Sequence, residues 1–378
     1  MALAAGGILL AAAPAAPSTP PVATSASAAD AIALDAVPPA RLSDTGLFTD
    51  AAARTLAPGV VPFSPQYPLW TDGAAKRRWI LLPAGSTIDA SDADAWRFPI
   101  GTKLWKEFAF GRAVETRYVA RLADGRWLFA AYRWDDDGHD ATLVAARGAR
   151  AVAQIAPGVR HDIPSRTDCL ACHGGRATPV LGFTALQLST DRDPLAPHAE
   201  PLPAGAATLA SLSASGRLAG APTSLASSPP RIAAPTPRAR AALGYLHGNC
   251  AACHRASGDL ERLALSFEPP LSDAPPRALT TTANVPARFR FPADAVASPR
   301  LVPGDPAHST LVRRMASRTP AEQMPPLGTH LVDRDALALI EAWIRDEVRL
   351  ASDPRSPAGP SALSFPSPPD APRTPKKE

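Results

Sequence analysis

The sequence predicts an α+β multidomain chain: an N-terminal antiparallel β domain followed by two mainly α-helical modules. Three observations predict it. Short runs of β-branched and aromatic residues, separated by turn chemistry, crowd the segment from Pro62 to Val152. Helical periodicity is clearest later, in "PRARAALGYLHGNCAACH" and "DRDALALIEAWIRDEVRL". The stretches between are dominated by proline, alanine and serine. The chain carries 44 prolines in 378 residues, well above the ordinary share of about 5%, so long loops must separate the regular elements.

Residues 1–35 read as signal peptide and linker. Ala2 to Ala13 form an apolar run too short to span a bilayer, followed by small residues and Ala-x-Ala-like sites such as Ala26-Ser27-Ala28. The run lacks the usual basic flank, so a plain Ala/Pro tail is the competing reading. Residues 36–160 read as the β domain. "KRRWILLP", "LWKEFAF", "VETRYVARL" and "RWLFAAYRW" alternate or cluster apolar residues, and "PAGS", "ADG" and "DDDGHD" supply turns. A small sandwich is expected, with six of the seven tryptophans in its core and rim.

Residues 161–235 form the first module with its Pro/Ala-rich linker. Residues 236–352 form the second. It opens with a helix placing Leu243, Leu246 and Cys250 on one face. It closes with a helix capped by Asp333, whose apolar stripe is Leu337, Ile340, Trp343 and Ile344. Residues 353–378 read as a disordered tail. The net charge of +4 is spread among mixed signs, which excludes a nucleic-acid stripe. The sequence holds no Gly-rich phosphate loop, nucleophile elbow or His-Glu-x-x-His pattern.

The chemistry concentrates in "TDCLACHGG" and "GNCAACHRASG". Each contains Cys-x-x-Cys-His, and together they use all 4 cysteines. Zinc knuckles stand closer together and give no reason for the histidines. Thioredoxin-like redox chemistry explains one Cys-x-x-Cys but not two with a repeated histidine. Covalent haem explains both. Two thiols add across the vinyl groups on one side of a porphyrin, and the adjacent histidine lies under the iron as a neutral imidazole. Methionines that could face an iron are few. Met324 lies in the proline-stiffened "EQMPPLG", whereas Met315 in "LVRRMASR" reads as core packing.

Residues from about Arg238 to Leu350 resemble a class I cytochrome c domain. The longer chain resembles a family of exported di-haem cytochromes c, of the kind found beside periplasmic quinoprotein-type dehydrogenases. The stretches that carry the resemblance are "IPSRTDCLACH", "VLGFTALQLS", "RARAALGYLHGNCAACHR", "LVPGDPAHSTLVRRM", "MPPLGTHLVDRDALALIEAWI" and, in the β domain, "YPLWTDGAAKRRWILLPAG". The resemblance implies two cytochrome c-type haem modules and two covalently bound haem c groups. Cys169 and Cys172 would hold the first, with His173 proximal. Cys250 and Cys253 would hold the second, with His254 proximal and Met324 distal. No methionine closely follows the first motif, so a histidine or an open face is implied there. His198, in the proline-flanked "PLAPHAEP", is the first choice, ahead of His247 and His161. His139, His308 and His330 read as loop residues.

The function so implied is electron transfer in the periplasm or another exported location. A dehydrogenase would be the donor and an oxidase or carrier the acceptor, with no nucleic acid and no membrane span in the mature chain. A peroxidase- or oxidase-like enzyme with an open first haem is the rival. A third reading makes the β domain a docking module.

Overall fold

The computed structural model describes residues 31–269 and 276–349. The leader before Ala31 and the tail after Arg349 lie outside the described residues. Eleven strands come first: β1 (Phe48–Asp50), β2 (Thr55–Leu56), β3 (Val60–Pro62), β4 (Ala75–Leu81), β5 (Ile88–Asp89), β6 (Lys103–Phe110), β7 (Arg112–Arg121), β8 (Trp127–Trp134), β9 (Ala141–Leu143), β10 (Ala149–Ala156) and β11 (Val159–Ile163). Then come α1 (Arg166–His173), α2 (Leu209–Ala214), β12 (Leu218–Ala219), α3 (Ser224–Ser227), α4 (Pro237–Cys250), α5 (Arg277–Thr280), α6 (Thr310–Ala316) and α7 (Arg334–Asp346).

The dominant element is a six-stranded antiparallel sheet in the order β3-β4-β6-β7-β8-β9. Alternation along its strands sends side chains to two faces. One face carries Trp79, Trp105, Tyr118, Leu128 and Tyr132, packed against Leu42, Leu47 and Phe48 from the start of the described chain. The other carries Ile80, Leu104 and Phe129, packed against Trp96, Phe98, Val180 and Phe183. The chain joins the sheet early, because the Ala33 N–H donates to the Trp127 carbonyl at 2.8 Å, the Trp127 N–H donates to the Ala31 carbonyl at 2.9 Å, and Ala33 is fully buried.

The expectation of two mainly α-helical modules is overturned. The structure is mostly β-sheet with short helices. Between residues 164 and 236 the helices α1, α2 and α3 are 8, 6 and 4 residues long. Between α4 and α6 the only α-helix among the described residues is α5, of 4 residues. Prolines and left-handed glycines keep the intervening chain in turns. The first motif does not build its own helical unit but packs on the sheet, where Cys169 joins the core beneath Phe129. Nor do two packed sheets form the expected sandwich; two-stranded ribbons accompany the single large sheet.

The two long helices, α4 and α7, pack on each other through Leu243, Leu246, Ile340, Trp343 and Ile344. α4 also docks on the β region. A Cβ at Gly244 would come within 2.0 Å of the Tyr67 ring, and one at Gly248 within 2.4 Å of the Tyr67 carbonyl. Only glycine allows that approach. No helix among the described residues is long and apolar enough to cross a membrane.

Candidate functional site

A capped helix delivers each motif. Ser165 opens α1 with a capping box: its Oγ accepts from the Asp168 N–H at 3.0 Å, and the Asp168 carboxylate accepts from the Ser165 N–H at 2.9 Å. Cys169 and Cys172, three residues apart on this helix, therefore share a face. Thr236 caps α4 by accepting from the Ala239 N–H at 3.0 Å, with Pro237 in the first turn. α4 ends at Cys250, and the His254 N–H then returns to the Cys250 carbonyl at 2.9 Å.

The two motifs lie side by side. The Cys172 and Cys253 sulfurs are 3.9 Å apart, and none of the four cysteines is in a disulfide. Arg176 donates to the Ala252 carbonyl at 3.0 Å, and Cys253 Sγ to the Ala171 carbonyl at 3.4 Å. Ala171 and Ala252 occupy the same place in their motifs, so the contact is reciprocal. Arg255 completes it by donating to the carbonyls of Gly174 at 3.2 Å and Gly175 at 2.6 Å.

The thiols differ in character. The hydrogen bond from Cys172 holds Cys253 down to about 7, against the effect of burial. That same bond, then burial, pushes Cys172 up. Burial pushes Cys250 up to about 12 and raises Cys169.

His173, His247 and His254 are each lowered to about 4, chiefly by burial, and are neutral imidazoles at pH 7. His173 Nδ1–H donates to the Pro179 carbonyl at 2.6 Å, and its ring lies 4.8 Å from Phe129. That bond sets the tautomer that leaves Nε2 free as a donor atom. The His254 ring stands edge-on to Phe267 at 5.8 Å. The Nδ1 atoms of His247 and His254 are buried without a hydrogen-bond partner.

Met324 is half-buried, and its N–H donates to the Arg314 carbonyl at 3.0 Å. The Arg314 charge is one of those that lower His254, so the methionine loop returns to the second motif's surroundings. Met315 is buried in the α4–α7 core. His198 lies elsewhere from the motifs' own contacts. Its Nε2 is 2.9 and 3.0 Å from the Asp333 carboxylate oxygens, and its ring is 6.2 Å from Trp70. His161 is buried against Glu115, 3.0 Å from its carboxylate. His139 and His308 are exposed, bonded locally to Asp137 and Asp305.

Sequence reasoning missed the reciprocal contact, the Tyr67 joint, and the charged face of the sheet above the first motif. Only the last left a signal, in the cations within the strand-like runs "AKRRWIL" and "ETRYVAR".

The donor arrangement fits haem better than a protein-ligated ion. Among the described residues no three His, Cys, Asp or Glu side chains converge to hold a metal, whereas structural zinc needs four such ligands. Haem iron is already held by its porphyrin and asks the protein for one or two axial donors. Buried neutral imidazoles next to paired free thiols, one with its tautomer fixed, meet that need. No family model, curated protein or solved structure matches the chain.

Proposed function

We propose that the chain is an exported di-haem protein that passes electrons between redox partners, with one covalent haem c at each Cys-x-x-Cys-His motif. The observation that carries this reading is the reciprocal contact between the motifs, with sulfurs 3.9 Å apart. Two attachment sites held this closely serve a two-centre relay, and neither alone explains why the chain cross-braces them.

Each haem, when bound, supplies a one-electron iron centre whose potential follows its axial ligands and surroundings. The chain's own residues do the rest. Cys169, Cys172, Cys250 and Cys253 would anchor the two groups. Pro179 orients His173, and Phe129 and Phe267 pack its ring and that of His254. Met324 would offer a thioether to the second haem, whose iron would then have a higher potential than with two imidazoles. A dehydrogenase donor and an oxidase or carrier acceptor suit such a relay.

The test is the intact mass and redox titration of protein matured in an oxidising compartment. Two haem additions, no free thiol and two one-electron steps are expected. A mass equal to the polypeptide plus zinc, or free thiols at either motif, overturns the reading.

A further inference from the structure

The sheet face that receives the first motif carries an unusual row. Arg78 on β4 pairs in register with Lys106 on β6, and Lys106 with Arg117 on β7. Three cations thus stand directly opposite one another across three adjacent strands, on a covered face. Like charges in that relation repel, so the row calls for negative charge.

The carboxylates present do not supply enough. Glu200 pairs with Arg78 at 2.7 Å and Glu115 with Arg117 at 2.6 Å. Among the described residues, no carboxylate ion-pairs with Lys106. Arg78 is 6% exposed, and its second terminal nitrogen, Nη2, is buried without a partner. A fourth cation, Lys76, lies one row along with Phe108 between it and Lys106. Asp72, whose charge also reaches Lys76, is turned to the N–H groups of His330 and Leu331 at 2.7 and 2.8 Å. Burial and the charges of Arg78, Lys76 and Arg117 push Lys106 well below its ordinary pKa, and the Glu200 carboxylate, already paired with Arg78, offsets them only in part.

The row also faces the first motif. The charges of Lys106 and Arg117 both act on His173, and Arg117 acts on Cys169 and Cys172. Phe129, on the same face of β8, packs on the His173 ring.

We propose that Arg78, Lys106 and Arg117 form the seat for the two propionate carboxylates of the porphyrin attached at Cys169 and Cys172. The assignment rests on the di-haem reading and assigns this face to its anionic edge. Two carboxylates would answer the unpaired Lys106 and the free Arg78 nitrogen. Cations beside a haem favour the reduced, less positive iron, so the row would raise the first haem's potential.

The experiment uses matured, haem-loaded protein. In Lys106→Gln and Arg78→Gln, mass should still show two haems, and one potential should fall while the other stays. A tenfold change in that haem's oxidation equilibrium, about 59 mV for one electron, is the effect to look for. Lys106→Arg keeps the charge and should keep the wild-type potential. Arg77→Gln, on the opposite face of β4, should move neither potential. Two haems with unmoved potentials in both Gln variants overturn the seat and leave the di-haem reading standing. A high-spin iron in Lys106→Gln also overturns it, because Lys106 would then be an axial ligand. Absence of haem from the wild type overturns both.

Discussion

Cys172 and Cys253 belong to different motifs, 81 positions apart, yet their sulfurs approach to 3.9 Å. A disulfide needs about 2 Å less, which side-chain rotation can supply. When haem attachment is withheld and oxidised glutathione is the electron acceptor, Cys172 and Cys253 should therefore join, each losing its proton. The closed loop would stabilise the haem-free chain by about 4.5 kcal/mol on the chain-entropy account. Non-reducing peptide mapping should find that crossed pair. Predominant Cys169–Cys172 and Cys250–Cys253 links would mean that the motifs do not meet.

The two methionines should separate cleanly. Met315 is 7% exposed within the core formed by α4, α6 and α7, so Met315→Ala should cost about 2–5 kcal/mol of stability. It should leave the visible and near-infrared spectra intact. Met324 is half-buried and tied by its backbone to Arg314. Met324→Ala should remove the weak thioether-to-ferric band and lower one potential, with a smaller loss of stability. Exchange of the two outcomes would assign the thioether ligand to Met315.

Lys76 gives the sheet a pH dependence that can be read in the haem-free chain. It is 9% exposed, and burial followed by the Arg78 charge lowers it from 10.5 to about 8. Between those values the unfolded chain holds the proton and the folded chain has lost it. Stability therefore rises with pH from about 8 to about 10.5, and the full cost of up to about 3 kcal/mol is present at pH 7. Lys76→Met should be more stable than wild type at pH 7 and should lack this rise. Urea unfolding at pH 7 and pH 10 measures both. An equal rise in the variant would place its origin in another group.

What was legible in the sequence follows from how local each signal is. The motifs are legible because each Cys-x-x-Cys-His pattern is complete within five residues. α7 is legible because its cap and stripe are local, and the structure places Asp333 at 3.1 Å from the Ala336 N–H and buries Ile340, Trp343 and Ile344. The placement of the first motif on the sheet is not local. It depends on Phe129 meeting His173 and on Tyr67 meeting Gly244 and Gly248, and neither partner carries a mark of the other. The helical modules expected from the sequence failed for the same reason: proline and glycine keep the helices short between α1 and α4 and again between α4 and α6, and tertiary packing on the sheet takes their place.

For the proposed first haem, two histidines are separated as candidate sixth ligands by their present partners. His198 is the choice that loop stiffness favours, but its Nε2 holds the Asp333 carboxylate that also caps α7. Ligation by His198 would have to break that pair and leave a nearly buried carboxylate short of a donor. His247 has no such tie. It lies one turn before Cys250 on α4, its Nδ1 is buried without a partner, and the charge that acts on it is that of Arg176, three residues after His173. α4 thus carries an imidazole to the meeting of the motifs without giving up a bond. His247→Ala should make one haem high-spin, let it bind carbon monoxide on reduction, and spare the Met324 haem. His198→Ala should leave both haems low-spin and cost about 1 kcal/mol through the lost bond to Asp333, which keeps the Ala336 N–H and the Tyr245 hydroxyl. The reverse pattern would place the ligand on the loop from Pro194 to Pro201. Carbon monoxide binding by the wild type would mean that this iron has an open face, and the peroxidase- or oxidase-like reading would then displace the simple relay.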